Sequence, residues 1–106
     1  MGLAHCSEAD RKLIRECLVA SVEGPFFPDW EFSLLFGLER AEVAAVLQAW
    51  PDVGERDPCV RLAVNNALNN LLGYPHGLEL GPYVSASEGE LRCVLERWRL
   101  PARTAR

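Results

Sequence analysis

Prolines and glycines cut this chain before any helix can grow long. Gly24-Pro25, Gly37, Pro51, Gly73, Pro75, Gly81-Pro82 and Pro101 stand between stretches whose apolar residues recur with a helical period. A proline inside a helix removes a backbone donor and clashes with the carbonyl four residues back, while glycine loses the most backbone freedom on ordering, so these positions act as stops. The segments left between them are too short for an extended coiled coil. The pattern predicts an all-α fold, a compact orthogonal bundle of about five short helices, with one domain over residues 1–101 and a basic flexible tail over 102–106.

The starts are as legible as the stops. Ser7-Glu8-Ala9-Asp10 supplies a capping residue and an acidic first turn, and Leu13, Ile14, Cys17, Leu18 and Val22 follow at helical spacing. Pro28 fits the first turn of a short second helix that Gly37 ends. Val43, Val46, Leu47 and Trp50 form an i, i+3, i+4, i+7 stripe on a third, which Pro51 terminates. Asp57-Pro58 reads as an N-cap followed by proline at the first helical position, opening a fourth helix that runs to Gly73. Residues 74–86 show no helical period and are expected to form an ordered loop, with room for a short extended piece over Leu78–Leu80. Ser87 and Glu90 match the reciprocal capping box, and Leu91, Val94, Leu95 and Trp98 make a fifth helix behind them.

Composition narrows the function classes. With 106 residues, 49% hydrophobic and 25% charged, the chain can bury one core of ordinary size. Every apolar run is broken well short of the ~20 residues of a membrane span. The opening Met1–Cys6 carries no basic-then-apolar export pattern, so a cytoplasmic protein with no membrane contact is expected. Its four cysteines are irregularly spaced and read as reduced thiols, those at 17, 59 and 93 as small hydrophobes within helices. No metal site or cofactor is expected.

The net charge of −4 conceals an asymmetry: residues 1–91 hold 6 Lys/Arg against 14 Asp/Glu, and residues 92–106 hold 5 Arg against 1 Glu. An acidic body repels phosphate, which disfavours nucleic acid as a partner.

Three constellations could carry function. Phe32-Ser33-x-x-Phe36-Gly37-Leu38, followed by Val43 and Val46, resembles a helix-turn-helix unit, with Ser33 where a small alanine is usual. The resemblance covers about 20 residues and implies a DNA-binding regulator. However, the helix that would read bases presents Glu39, Arg40, Ala41, Glu42, Ala45 and Gln48, and the chain from Glu16 to Glu55 has eight carboxylates against Arg40 alone. DNA binding would need a surface built from Arg92, Arg97, Arg99, Arg103 and Arg106.

The second constellation is Asn65, Asn66, Asn69 and Asn70, two stacked i, i+4 pairs of a poor helix former. Such side chains can bond the backbone of the 74–86 loop; Asn66, Asn70, Tyr74 and His76 can equally line a polar pocket for a small molecule. The third is aromatic: Phe26, Phe27, Trp30, Phe32 and Phe36 are five of the chain's nine aromatics, crowded too closely to share one face. Ringed by Asp29, Glu31 and Glu42, any that stay exposed would suit a basic protein partner.

Catalysis has the least support, because the only histidines are His5, at the start of the chain, and His76, and no spacing pairs His76 with Cys59 or Cys93 in a catalytic arrangement. The expected role is therefore a non-catalytic protein-interaction or regulatory module, binding another protein or itself. A helix-turn-helix DNA binder and a small-molecule site at Asn66, Asn70 and His76 are the alternatives.

Overall fold

Five helices form in the computed structural model, which describes residues 5–54 and 56–100: α1 (Glu8–Glu23), α2 (Asp29–Phe36), α3 (Arg40–Ala49), α4 (Pro58–Gly73) and α5 (Glu88–Arg99). No strand occurs among the described residues. The bundle is all-α, as the punctuation predicts; the 102–106 tail, with Arg103 and Arg106, lies outside the described residues.

Local chemistry sets the helix ends. Ser7 Oγ accepts from the Asp10 N–H at 3.1 Å while Asp10 accepts from the Ser7 N–H at 3.2 Å, and Ser87 and Glu90 repeat that exchange at 3.1 Å each way ahead of α5. Each box satisfies backbone donors that a helix start would otherwise leave unpaired. Asp57 caps α4 by accepting from the Cys59 N–H at 2.9 Å, with Pro58 behind it. Gly37 ends α2 in the left-handed region, φ 69°, where a Cβ would be strained. Gly24 ends α1 for a different reason: a Cβ there would stand 2.5 Å from the Ala20 carbonyl oxygen.

α4 is the hub, packing against α1, α2, α3 and α5. Its Ala63, Val64, Ala67 and Leu68 are fully buried, and around them lie Ile14 and Leu18 of α1, Phe36 of α2, Val43 of α3, and Leu91 and Trp98 of α5. Removing side chains of this size from water contributes about 1.5–3 kcal/mol each. The Cα radius of gyration, 13.0 Å, is that of a well-packed chain of this length.

Asp10 has a second partner besides its cap. Arg97 Nε and Nη2 reach its two oxygens at 2.7 and 2.8 Å, tying the end of α5 to the start of α1. Asp10 is buried, and Arg97's donors, aided by Ser7, hold its carboxyl below the ordinary 3.8 against the upward push of burial.

The 74–86 segment is an ordered loop. No strand forms at Leu78–Leu80, and the backbone turns after Leu80, whose carbonyl accepts from the N–H groups of Tyr83 and Val84 at 2.9 Å each. The turn buries Leu80 and Val84, which an extended strand without a pairing neighbour would not do. Glu16 of α1 anchors the loop's far end, accepting from Ser85 N–H at 2.8 Å and from its hydroxyl at 3.0 Å.

Candidate functional site

The aromatic segment divides into two faces. Phe26, Phe27, Phe32 and Phe36 are all at most 3% exposed, so Phe26, Phe27 and Phe32, expected with Trp30 at an interaction surface, belong to the core together with Phe36. Phe32 and Phe36, one turn apart, stack with centroids 4.3 Å apart, and Phe27 meets Phe36 edge-on at 5.4 Å. The opposite side of α2 faces water: Trp30 is 76% exposed and Leu34 80% exposed. Residues four apart share one helix face, so these two present a single apolar ridge.

The acidic residues near this ridge are partly committed. Asp29 pairs with Arg40 at 2.9 Å yet keeps its carboxylate almost wholly in water. Glu31 takes a short hydrogen bond from the Tyr74 hydroxyl, which raises the phenol's pKa because its neutral form is the donor. Glu42 stands on α3 and accepts from the Glu39 N–H at 2.9 Å.

Arg40, the sole cation of the acidic stretch, turns inward. It donates to the carbonyls of Ser21 (3.0 Å), Val22 (2.8 Å) and Phe27 (3.0 Å), and its guanidinium lies 4.3 Å from the Phe32 ring centroid. The first two carbonyls close α1, so Arg40 supplies donors and positive charge where the helix ends negative. The α2–Gly37–α3 spacing that resembles a DNA-reading unit thus leaves α3's outer face with Ala41, Glu42, Ala45 and Gln48 and no cation. Arg97 is held by Asp10; Arg99 donates to Asn65 Oδ1 at 2.8 Å and Asn69 Oδ1 at 3.2 Å; Arg92 is exposed.

Those bonds also account for the asparagines. Asn65 and Asn69 hold α5 through Arg99, while Asn66 and Asn70 donate to the carbonyls of Phe36 (2.8 Å) and Leu35 (2.9 Å) at the end of α2. The expected tie to the 74–86 loop is replaced by a tie to α2, whose terminal carbonyls have no partner within their own helix. His76, the fourth candidate for a polar pocket, has both ring nitrogens engaged: Nδ1 accepts from the Leu78 N–H at 2.9 Å, so Nε2 carries the proton it gives to the Leu71 carbonyl at 3.0 Å. The structure brings Tyr74 to α2 and gives Asn66, Asn70 and His76 backbone partners.

A different concavity escaped the sequence reading. α3, the loop after it and the first turn of α4 enclose an open groove of about 410 Å³. Val46, Val53, Cys59 and Val60 line its apolar part, Ala45 and Ala49 form one wall, and Glu42, Asp52 and Asp57 stand around it. Ala41, Ala45 and Ala49, at i, i+4 and i+8, were the available signal: small residues on one helix face leave room beside it. The Cys59 thiol is pushed up in pKa by desolvation and by Asp57 and Glu42, so it serves as lining and not as a thiolate. Cys6 and Cys17 are buried, the latter with its pKa pushed up to about 12 by burial; Cys93 is exposed, unlike the small hydrophobe its helical position predicts.

Among the described residues no group of three or more His, Cys, Asp or Glu is placed to hold a metal ion, and no helix is long and apolar enough to cross a membrane. No protein-family model matches this chain, nor does any curated protein or solved structure.

Proposed function

We propose that this protein is a non-catalytic interaction module that docks a protein partner through the outward face of α2. The observation that carries the reading is the Trp30–Leu34 ridge: two large apolar side chains, 76% and 80% exposed, on a helix whose other face is sealed into the core. Tryptophan is prominent among residues that dominate binding energy, and burying each of these side chains at an interface is worth about 1.5–3 kcal/mol. Asp29, whose carboxylate remains in water beside the ridge, favours a partner that brings a cation to the rim of its own apolar pocket.

The test is a tagged pull-down from extract of the native cell, with and without nuclease, alongside sedimentation of the purified protein over a range of concentrations. A stoichiometric protein that survives nuclease and is lost in Trp30→Ala is the expected result; concentration-dependent dimers lost in the same variant would name self-association. Because Trp30 is so exposed, the substitution should change folding stability by less than about 0.5 kcal/mol. A monomer that retains no protein, or material lost on nuclease treatment and on added salt, would overturn the reading in favour of none or of phosphate binding.

A further inference from the structure

The groove between α3 and the start of α4 lies apart from the α2 ridge and has its own chemistry. Its floor is apolar, built by Val46 and Val60, both buried, with half-buried Val53 and Cys59. The exposed apolar side chains of the α3 wall are the methyl groups of Ala45 and Ala49. Short side chains let a second helix axis come close, since interaxial distance is set by the side chains at the contact. Three carboxylates of one sign surround this floor: Glu42 on α3, Asp52 in the loop, and Asp57 at the head of α4. All three are exposed, and none has an ion-pair partner among the described residues. Arg56 and Arg61, close to Asp57 along the chain, do not line the groove.

We propose that this groove docks a basic amphipathic helix of a partner protein, with the partner's apolar stripe on the valine floor and its Lys or Arg side chains on Glu42, Asp52 and Asp57. Three like charges around an apolar trough select the sign of the occupant and orient it, and the accessible lining side chains, Ala45, Ala49, Val53 and Cys59, add apolar contact. α3 spans ten residues, about 15 Å, which matches two to three turns of the incoming helix. Nucleic acid is repelled by the same three charges.

Cys59 reports occupancy directly. A 14-residue Leu/Ala/Lys amphipathic peptide, and the same peptide with every Lys replaced by Glu, are titrated onto the intact protein while alkylation of Cys59 and of Cys93 is followed by mass spectrometry. The basic peptide should slow Cys59 alkylation at least about fivefold and leave exposed Cys93 unchanged; backbone amide shifts in NMR should concentrate at Val46, Val53 and Val60. The triple variant Glu42→Gln, Asp52→Asn, Asp57→Asn should weaken the peptide at least about tenfold, each variant's protection being taken as a ratio to its own rate without peptide. It keeps the fold, because Gln can still accept from the Glu39 N–H and Asn is as good an N-cap as Asp.

Equal protection by the acidic peptide, undiminished binding in the triple variant, or no protection and no shifts with millimolar basic peptide would each overturn the proposal. Protection of Cys59 that rises with protein concentration alone would overturn it in favour of a second copy of this chain. Trp30→Ala should leave every one of these readings unchanged, so the groove and the α2 ridge stand or fall separately.

Discussion

Arg40 and Arg97 do similar geometric work on different acceptors. Each sends a guanidinium fork across a helix junction, Arg40 from α3 to the end of α1 and Arg97 from α5 to the start of α1. Arg40 meets neutral carbonyls, an aromatic face and the solvent-exposed carboxylate of Asp29, which is not part of α1; Arg97 meets a buried carboxylate of α1 itself. Carbonyls do not titrate, whereas Asp10 does, so one end of α1 is held independently of pH and the other is not. Arg99, shared between the amide oxygens of Asn65 and Asn69 on the surface, is a third case in which neither burial nor a counter-charge is present.

That ranking can be broken by three measurements. Arg40→Ala should cost the most, about 2–3 kcal/mol in urea unfolding, because it removes three hydrogen bonds and a cation–π contact and leaves partly buried carbonyls unpaired. Arg40→Lys should recover less than half of that, since one ammonium cannot reproduce the fork. The loss should be the same at pH 7 and at pH 3; a smaller loss at low pH would mean that Asp29, and not the carbonyls, is the partner that matters.

Asp10→Asn comes next, at about 1–2 kcal/mol near neutral pH, limited by the partial exposure of Arg97. The sign follows from the depressed pKa of Asp10 in the folded protein: its stabilising contribution is complete above the unfolded value of 3.8 and disappears as pH falls through the lower folded value. Wild type and variant should therefore converge as pH falls below 3.8 in parallel urea titrations. A gap that does not narrow as pH falls below 3.8 would detach the effect from ionisation. Arg99→Ala should cost about 0.3 kcal/mol, the range of exposed pairs, and a loss above about 1 kcal/mol would show that the asparagine clasp holds α5 more firmly than its exposure implies.

The sequence told more about where helices begin and end than about what they meet. Ser7, Asp57-Pro58 and Ser87 with Glu90 act on backbone groups within four residues, so their effect is written locally, and the glycine and proline stops share that property. Arg40 could not be placed in the same way, because a single cation in an acidic stretch looks like surface until α1 supplies its carbonyls from 18 and 19 residues away. The α2 segment Asp-Trp-Glu-Phe-Ser-Leu-Leu-Phe spreads its apolar residues around the whole helix, so no periodicity distinguishes Trp30 and Leu34 from Phe32 and Phe36. The positions of α3 and α4 decide which pair is buried. The asparagine pairs announced that something needed hydrogen bonds but not that α2 and α5 were the recipients, and the groove draws on three separate segments.

The two amides that close α2 also set an order of events. An eight-residue helix is far shorter than the ~12–15 residues at which isolated helices become even marginal, so α2 exists by virtue of α4. It can lift away while α4 stays folded, but α4 cannot unwind without releasing it. Amide hydrogen exchange should therefore find α2 opening as its own low-energy unit, no better protected than α4 beneath it. The Trp30–Leu34 ridge is thus carried by a helix whose existence depends on its contacts with the rest of the bundle.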